Sequence, residues 1–280
     1  MTRRDWWQQA TARLTAAGCE DAAFDARCLL EDIGGLPRGH MPDAVMLTAA
    51  QTEQLERALA RRADGYPLQY ILGEWEFLTL TLRVGEGVLI PRADTEVLCE
   101  TAADYLRGRS VPRVLDLCAG SGCVGLGVAS LCAGAVVTAV ELSDDALPYL
   151  RENIARYPSL DVTAVQGDVL HDAAAFADDY DAILSNPPYI PTADMDTLMR
   201  EVQCEPRMAL DSSMDGLQFY RVIADVWSYK LRDGGLCAVE VGIGQADAVA
   251  ALFRAADLVD IHTVNDLGGI PRVVCGIRRK

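Results

Sequence analysis

Ser185-Asn186-Pro187-Pro188-Tyr189-Ile190 is the segment of this sequence with the most distinctive chemistry. Its two prolines lack a backbone N–H and stiffen the turn. Asn186 precedes a proline, so its backbone is biased to the extended region. The side-chain oxygen of Asn186 and the carbonyl of Pro187 are then two fixed acceptors side by side, which suits a planar NH2 group. Such a nitrogen is a poor nucleophile, because its lone pair is delocalised into a carbonyl or a ring. Hydrogen bonds from both its protons to fixed acceptors favour charge building on it during methyl transfer. In preorganised sites of this kind, removing one dipole costs on the order of 3 kcal/mol. Tyr189 offers a flat apolar face for the substrate plane to pack on. No strong base is required, since the proton can leave after transfer. That agrees with a chain of only three histidines, His40, His171 and His262, none beside these motifs.

A second motif lies upstream. Asp116-Leu117-Cys118-Ala119-Gly120-Ser121-Gly122 follows an apolar run and opens a helical pattern. Glycines there let a ligand approach the main chain. Glu141 follows Asp116 by 25 residues, at the end of the next strand-like run, where a carboxylate can accept from ribose hydroxyls. No Gly-Lys-Ser/Thr follows, so the loop is not a P-loop. Gly120-x-Gly122-x-x-Gly125 comes close to the dinucleotide fingerprint, so the motif by itself leaves a nicotinamide cofactor open.

These residues need elements to hold them. Residues 2–63 show helical stripes: Trp6, Trp7, Ala10, Leu14 and Ala17, then Ala23, Phe24, Arg27, Cys28 and Leu30 up to Gly34-Gly35. A capping box of Thr48 and Gln51 opens a third helix. We therefore expect a small helical domain over 1–65. A linker with a β-hairpin is expected over 66–92, with Leu78–Leu82 alternating, followed by a larger domain over 93–280. In the last, strands are expected at Arg113–Leu117, Val136–Leu142, Val162–Val165, Asp181–Ser185, Leu236–Val241, Ile261–Val264 and Arg272–Ile277. Helices are expected at Asp144–Tyr157, near Gly216–Leu231 and near Gln245–Ala256. Alternating β and α implies a mostly parallel sheet covered on both faces. Ligands bind beyond the C-terminal ends of such strands, and both motifs fall there.

With 280 residues, 50% apolar and 24% charged, the chain can bury a sizeable core. Its net charge is −16. Residues 1–70 hold 8 Lys/Arg against 10 Asp/Glu, and the remainder 17 against 31, so the acidity sits in the larger domain. That disfavours a duplex nucleic acid partner. Nine cysteines with no CxxC pair fit a reducing cytosol and speak against a disulfide framework or a structural metal. The opening MTRRDWWQQATARL has no apolar core and carries Asp5, against a secretory or transit signal. Cys118–Val140 is uncharged and long enough to span a bilayer, but five glycines break it, so no membrane association is expected.

Taken together, DLCAGSG, ELS, GDV and SNPPYI resemble the class I S-adenosylmethionine-dependent methyltransferases that act on planar amide or amino nitrogens. More narrowly, the chain resembles the HemK/PrmC family, the peptide chain release factor glutamine N5-methyltransferases. Pro67–Gly73, Leu89–Glu96, Glu205-Pro206, Asp215–Leu217 and Arg272–Val274 extend the likeness over nearly the full length. The resemblance implies a Rossmann-like α/β sheet, mostly parallel with an antiparallel C-terminal strand, beside a small N-terminal helical bundle. It implies S-adenosylmethionine as cofactor, S-adenosylhomocysteine as product, no metal, and a bacterial-type cytosol. The cofactor would sit on Asp116 and Cys118 through Gly122, with Glu141 on the ribose, Asp168 and Val169 flanking the adenine, and Asn186 facing donor and substrate. The substrate would be the glutamine of the Gly-Gly-Gln loop of class 1 release factors. Asn186, Pro187, Pro188 and Tyr189 would bind it, and the helical domain would grip the release factor. Glutamine methylation of a ribosomal protein, N6-adenine methylation of DNA and a non-catalytic docking role remain alternatives. Three positions depart from the family pattern: Cys118 stands where Gly is usual, Val169 where some relatives carry an aromatic, and Ala93 where Pro is common.

Overall fold

The computed structural model describes residues 1–37 and 44–279, so His40 lies outside the described residues. The chain forms two units, residues 1–74 with 199–204, and residues 75–198 with 205–280.

In the first unit, α1 (Arg3–Ala16) starts from a reciprocal capping box between Thr2 and Asp5. Next, α2 (Ala22–Cys28) continues as a π-helical turn over Leu29–Ile33. The expected box of Thr48 and Gln51 caps α3 (Ala49–Ala63), and α4 (Leu68–Leu72) ends at Gly73 in the left-handed region. Trp6, Leu14, Leu29, Leu30, Leu55 and Leu59 form the buried interior. Arg62 is also buried and pairs with Asp25 at 2.6 Å and Glu201 at 3.1 Å.

In the second unit, β1 (Glu74–Phe77) and β2 (Leu80–Arg83) make the hairpin. Its turn falls at Leu78, with φ of +52°, inside the run expected to be one strand. Phe77, Leu80 and Leu82 are buried in this unit's core. The 66–92 segment is thus divided, its first part lying with the helices and its hairpin with the sheet. There follow α5 (Ala93–Leu106), β3 (Arg113–Leu117), α6 (Cys123–Leu131), β4 (Val136–Glu141), α7 (Leu147–Arg156), β5 (Asp161–Gln166), β6 (Tyr180–Ser185), α8 (Arg207–Leu210), α9 (Gln218–Asp225), β7 (Leu231–Glu240), α10 (Ala246–Ala255), β8 (Leu258–Asn265) and β9 (Pro271–Arg278).

The seven-stranded sheet has the order β5-β4-β3-β6-β7-β9-β8, and β9 alone runs antiparallel to its neighbours. Chain direction reverses its lateral progress between β3 and β6, the position where open α/β sheets bind ligands. Successive strand residues face opposite layers. Val114, Val137, Ala182 and Leu236 join one core with α5, α6 and α7. Leu115, Ile183, Cys237 and Val274 join another with α9 and α10. This two-sided burial is why the strands read as continuous apolar runs. The helix expected through Leu231 stops at Asp225, and β7 begins earlier than the sequence suggests. Register slips between Tyr180 and Ala182, and Gly234, with φ of +68°, lets the bulge form. The uncharged 118–140 stretch is a loop, α6, a turn and β4. Among the described residues, no helix is long and apolar enough to cross a membrane.

Trp227 is fully buried, meets Phe176 edge-on at 5.2 Å, and donates from Nε1 to the Val169 carbonyl at 2.8 Å. Trp227→Phe strands that carbonyl and leaves a void, so we expect a loss of about 1–3 kcal/mol with unchanged m value, measured by urea unfolding.

Candidate functional site

The glycine loop is shaped by what lies under it. Beyond β3 the backbone turns through Cys118, with φ of +60°, Gly120, with +56°, and Gly122, with +83°. Gly120 borders open space, its nearest neighbour for an added Cβ being Val88 Cγ2 at 4.0 Å. Gly122 is structural instead, because a Cβ there would come within 2.6 Å of Leu150. Gly125 lets α6 approach β3, since its added Cβ would reach the Asp116 carboxylate at 3.0 Å. Third-glycine close packing of helix on strand is thus present without a dinucleotide fingerprint.

Asp116 itself is fully buried and lies outside the lining of the cleft. Its Oδ2 accepts from the Gly125 N–H at 2.9 Å, while Oδ1 has no partner. Burial pushes its carboxyl up to about 7, with the Glu141 charge adding to the rise and the Gly125 N–H opposing it. Asp116 therefore braces the first turn of α6 from a place outside the cleft lining.

Above the loop lies a cleft of about 300 Å³. Cys118, Ala119, Gly120, Ser121, Glu141, Asp168, Val169, Asn186 and Pro188 all line it, so four strand ends converge on one space. Glu141 ends β4, and its two oxygens accept from Gly120 N–H and Ser143 N–H, each at 2.7 Å. Asp168, after β5, accepts from Leu170 N–H at 2.8 Å and lies 2.7 Å from His171 Nδ1. His171 thus stands beside Asp168 and within neither motif, and the Asp168 carboxylate raises its pKa. His171 is outside the cleft lining, and His262 contacts the Asp260 carbonyl.

Asn186 follows β6, where Ser185 Oγ donates to the Leu117 carbonyl at 2.7 Å and pins this corner to the glycine loop. Asn186 Nδ2 donates to Thr95 Oγ1 at 3.1 Å. Pro187 is buried and does not line the cleft. The Tyr189 ring also lies outside the lining, close to Gly242, where an added Cβ would reach its Cδ2 at 3.0 Å. Burial pushes the Tyr189 phenol up to about 12. Gln245 Nε2 holds the Tyr189 carbonyl at 2.9 Å.

Beside Thr95, three residues that shape the site, Glu205, Asn153 and Glu240, carry no legible role in the sequence. Glu205 is buried, accepts from Ile90 N–H at 2.9 Å and pairs with Arg92, tying one wall of the cleft to the opposite loop. Asn153, on α7, donates to the Ser121 carbonyl at 2.9 Å and accepts from Arg83 N–H at 2.6 Å. Thr95 lines the cleft from the first turn of α5, and burial pushes the carboxyl of Glu240 up to about 7, with Thr95 opposing the rise. Each joins elements more than 60 residues apart, as with Ile90 and Glu205 or Arg83 and Asn153, so local sequence patterns hold no trace of it. Among the described residues, no group of three His, Cys, Asp or Glu could hold a metal ion.

Comparison with known proteins places this geometry among relatives. A model described as the PrmC N-terminal domain matches residues 5–73, and one described as the methyltransferase small domain matches 94–213. The release factor glutamine methyltransferase of Caulobacter vibrioides is 38% identical, covering 97% of this chain and 95% of the relative. Its namesake from Geobacter sulfurreducens is 40% identical, covering 94% and 92%. A crystal structure of a release factor-specific protein-(glutamine-N5) methyltransferase from Alicyclobacillus acidocaldarius is 34% identical, covers 71% of this chain and 99% of that one, and has a TM-score of 0.45.

The buried Asp116 makes a pH prediction. Its folded pKa of about 7 exceeds the ordinary 3.8, so the folded state holds a proton that the unfolded chain has released between those values. Stability therefore falls as pH rises through that window, by up to about 1.4 kcal/mol per pH unit from this group. Asp116→Asn keeps an acceptor for Gly125 N–H and removes the titration. Its stability relative to the natural chain should grow from low pH to neutral pH and level off above it, as read by denaturant unfolding across that range.

Proposed function

The chain belongs to the release factor glutamine methyltransferase family, and from that premise we propose that it methylates the glutamine of the Gly-Gly-Gln motif in class 1 peptide chain release factors. The methyl group comes from S-adenosylmethionine, goes to the side-chain amide nitrogen N5, and leaves S-adenosylhomocysteine. The observation that carries this reading is the convergence of Asn186 and the Cys118–Gly122 loop on one cleft.

The cleft suits the cofactor. The open space over Gly120 is a cradle that a Cβ would fill, Glu141 supplies acceptors for ribose hydroxyls, and Asp168 and Val169 border the place for an adenine. When bound, the cofactor supplies an electrophilic methyl carbon on a sulfonium centre. The Asn186 side-chain oxygen accepts one N–H of the substrate amide, and the other falls to the carbonyl of the adjoining Pro187, a residue that is otherwise buried outside the cleft lining. Acceptors fixed in this way stabilise the positive charge that grows on the nitrogen, and they do so only as bonding to carbon develops. They also hold the nitrogen in line with the methyl group, which removes an entropic cost from the barrier. No side-chain base is needed, because the N-methylated nitrogen is acidic and releases its proton to water. The hydrogen bond of Asn186 to Thr95, and that of the preceding Ser185 to Leu117, serve this purpose, since a mobile acceptor would have to be reorganised during reaction. The acidic balance of the larger unit is unsuited to wrapping duplex DNA.

Incubation with S-adenosylmethionine should add one methyl group to the Gly-Gly-Gln glutamine of a release factor, seen by mass spectrometry of the peptide, and should leave duplex DNA unlabelled. Labelled DNA beside an unmodified release factor would refute the proposal. Asn186→Ala should lower kcat by about 10²–10³-fold with cofactor affinity changed less than about threefold. Kinetics and calorimetric titration of the cofactor check this split.

A further inference from the structure

Asn186 can serve as an acceptor only if its amide faces the right way round. The side chain is nearly symmetric in shape, and a half-turn about its last bond would present NH2 to the substrate in place of oxygen. A donor aimed at a donor would repel the substrate amide. Something must therefore decide between the two orientations, and nothing in the Asn186-Pro187-Pro188-Tyr189 turn itself does so.

The contact that distinguishes them comes from α5. Thr95 lies in the first turn of that helix, is 1% exposed, and lines the cleft beside Asn186. Its Oγ1 is 3.1 Å from Asn186 Nδ2. The Thr95 hydroxyl also favours the charged form of the Glu240 carboxyl, at the end of β7, against the rise that burial causes. Glu240 is also 1% exposed, and its Oε2 has no hydrogen-bond partner. A hydroxyl has a single proton. Drawn toward a carboxylate, that proton leaves the Thr95 oxygen as the acceptor it is in the structure, taking the N–H of Asn186 Nδ2 at 3.1 Å. The Asn186 oxygen is then turned the other way, and among the described residues it takes no hydrogen bond from the protein.

Resting on the proposed function of the site, we infer that Thr95, polarised by Glu240, is a positioning residue that sets the amide orientation of Asn186 and so makes its oxygen the acceptor for the substrate nitrogen. Neither Thr95 nor Glu240 touches the reacting atoms in this arrangement. They act through Asn186, and the burial of both explains why an otherwise costly carboxyl is kept in the core at this place.

The inference is tested with Thr95→Val, which keeps the shape and loses the hydroxyl, and Thr95→Ser, which keeps the hydroxyl and loses the methyl. Thr95→Val should lower kcat about tenfold or more while the cofactor dissociation constant stays within about twofold, and Thr95→Ser should remain within about threefold of the natural chain. In an Asn186→Ala background, Thr95→Val should change kcat less than about twofold, because its route of action is gone. Equal damage from Val and Ser, or a full Val effect in the Asn186→Ala background, would overturn the inference and leave Thr95 a packing residue. A readout on the free protein separates this from failure of the functional reading. The side-chain ¹H–¹⁵N pair of Asn186, assigned by its loss in Asn186→Ala, should show one protected proton that shifts and exchanges faster in Thr95→Val and not in Thr95→Ser. Unchanged resonances in Thr95→Val would sink the positioning role even with the enzyme active, whereas absent release factor methylation with these shifts intact would sink only the proposed substrate.

Discussion

The cleft depends on β3 and β6 lying side by side with their C-terminal ends level. Leu117 pairs with Ser185 in the parallel register, and the Ser185 hydroxyl donates to the Leu117 carbonyl at 2.7 Å, closing the last step of the ladder. That single junction brings the glycine loop beside the asparagine corner. Every parallel strand delivers a loop to the same edge of the sheet, so Glu141 and Asp168 arrive at the same space from β4 and β5. A slip of one residue between β3 and β6 would turn each strand's side chains to the opposite layer and separate the two motifs.

Below that edge the chain keeps charged groups in its interior. Asp116, Glu205 and Glu240 are buried; Asp116 accepts from the N-terminal turn of α6 and Glu205 from the Ile90 backbone, while Thr95 favours the charged form of Glu240. Burial raises the carboxyls of Asp116 and Glu240 to about 7, which measures how poorly their sites solvate charge. An apolar residue would pack these places at lower cost. It could not accept the backbone N–H of a loop that has to hold its form, and an unpaired buried N–H is itself expensive. Cys118 fits the same pattern, since a non-glycine residue at a φ of +60° stores strain at the point where the backbone bends along the cleft.

The boundaries where local reasoning and structure part company have physical causes. The Leu78–Leu82 run alternates as one strand would, yet its turn sits inside it, because the hairpin must send Phe77 and Leu82 to the same core. β7 starts at Leu231 rather than at the apolar run, since a bulge accommodates residues that periodicity alone assigns to a helix or a turn. Tyr189 looks like a flat platform when read within its motif. In the fold its ring lies near Gly242, and the carbonyl rather than the ring is gripped by Gln245.

By itself the sequence determined the alternation of strands and helices, the helical N-terminal segment, and the types of group that could meet at the strand ends. Those features are encoded locally: hydrophobic period, glycine and proline placement, and the donor and acceptor inventory of each side chain act within a few residues. Only the tertiary structure decided that Asp116 supports from beneath while Glu141 faces the cleft, and which way the Asn186 amide points. Asn153, Glu205 and Glu240 took their parts at the same stage. A buried hydrogen bond is set by which elements the packed sheet brings within about 3 Å of one another, and two residues far apart in the chain carry no mark of that meeting until the sheet is assembled.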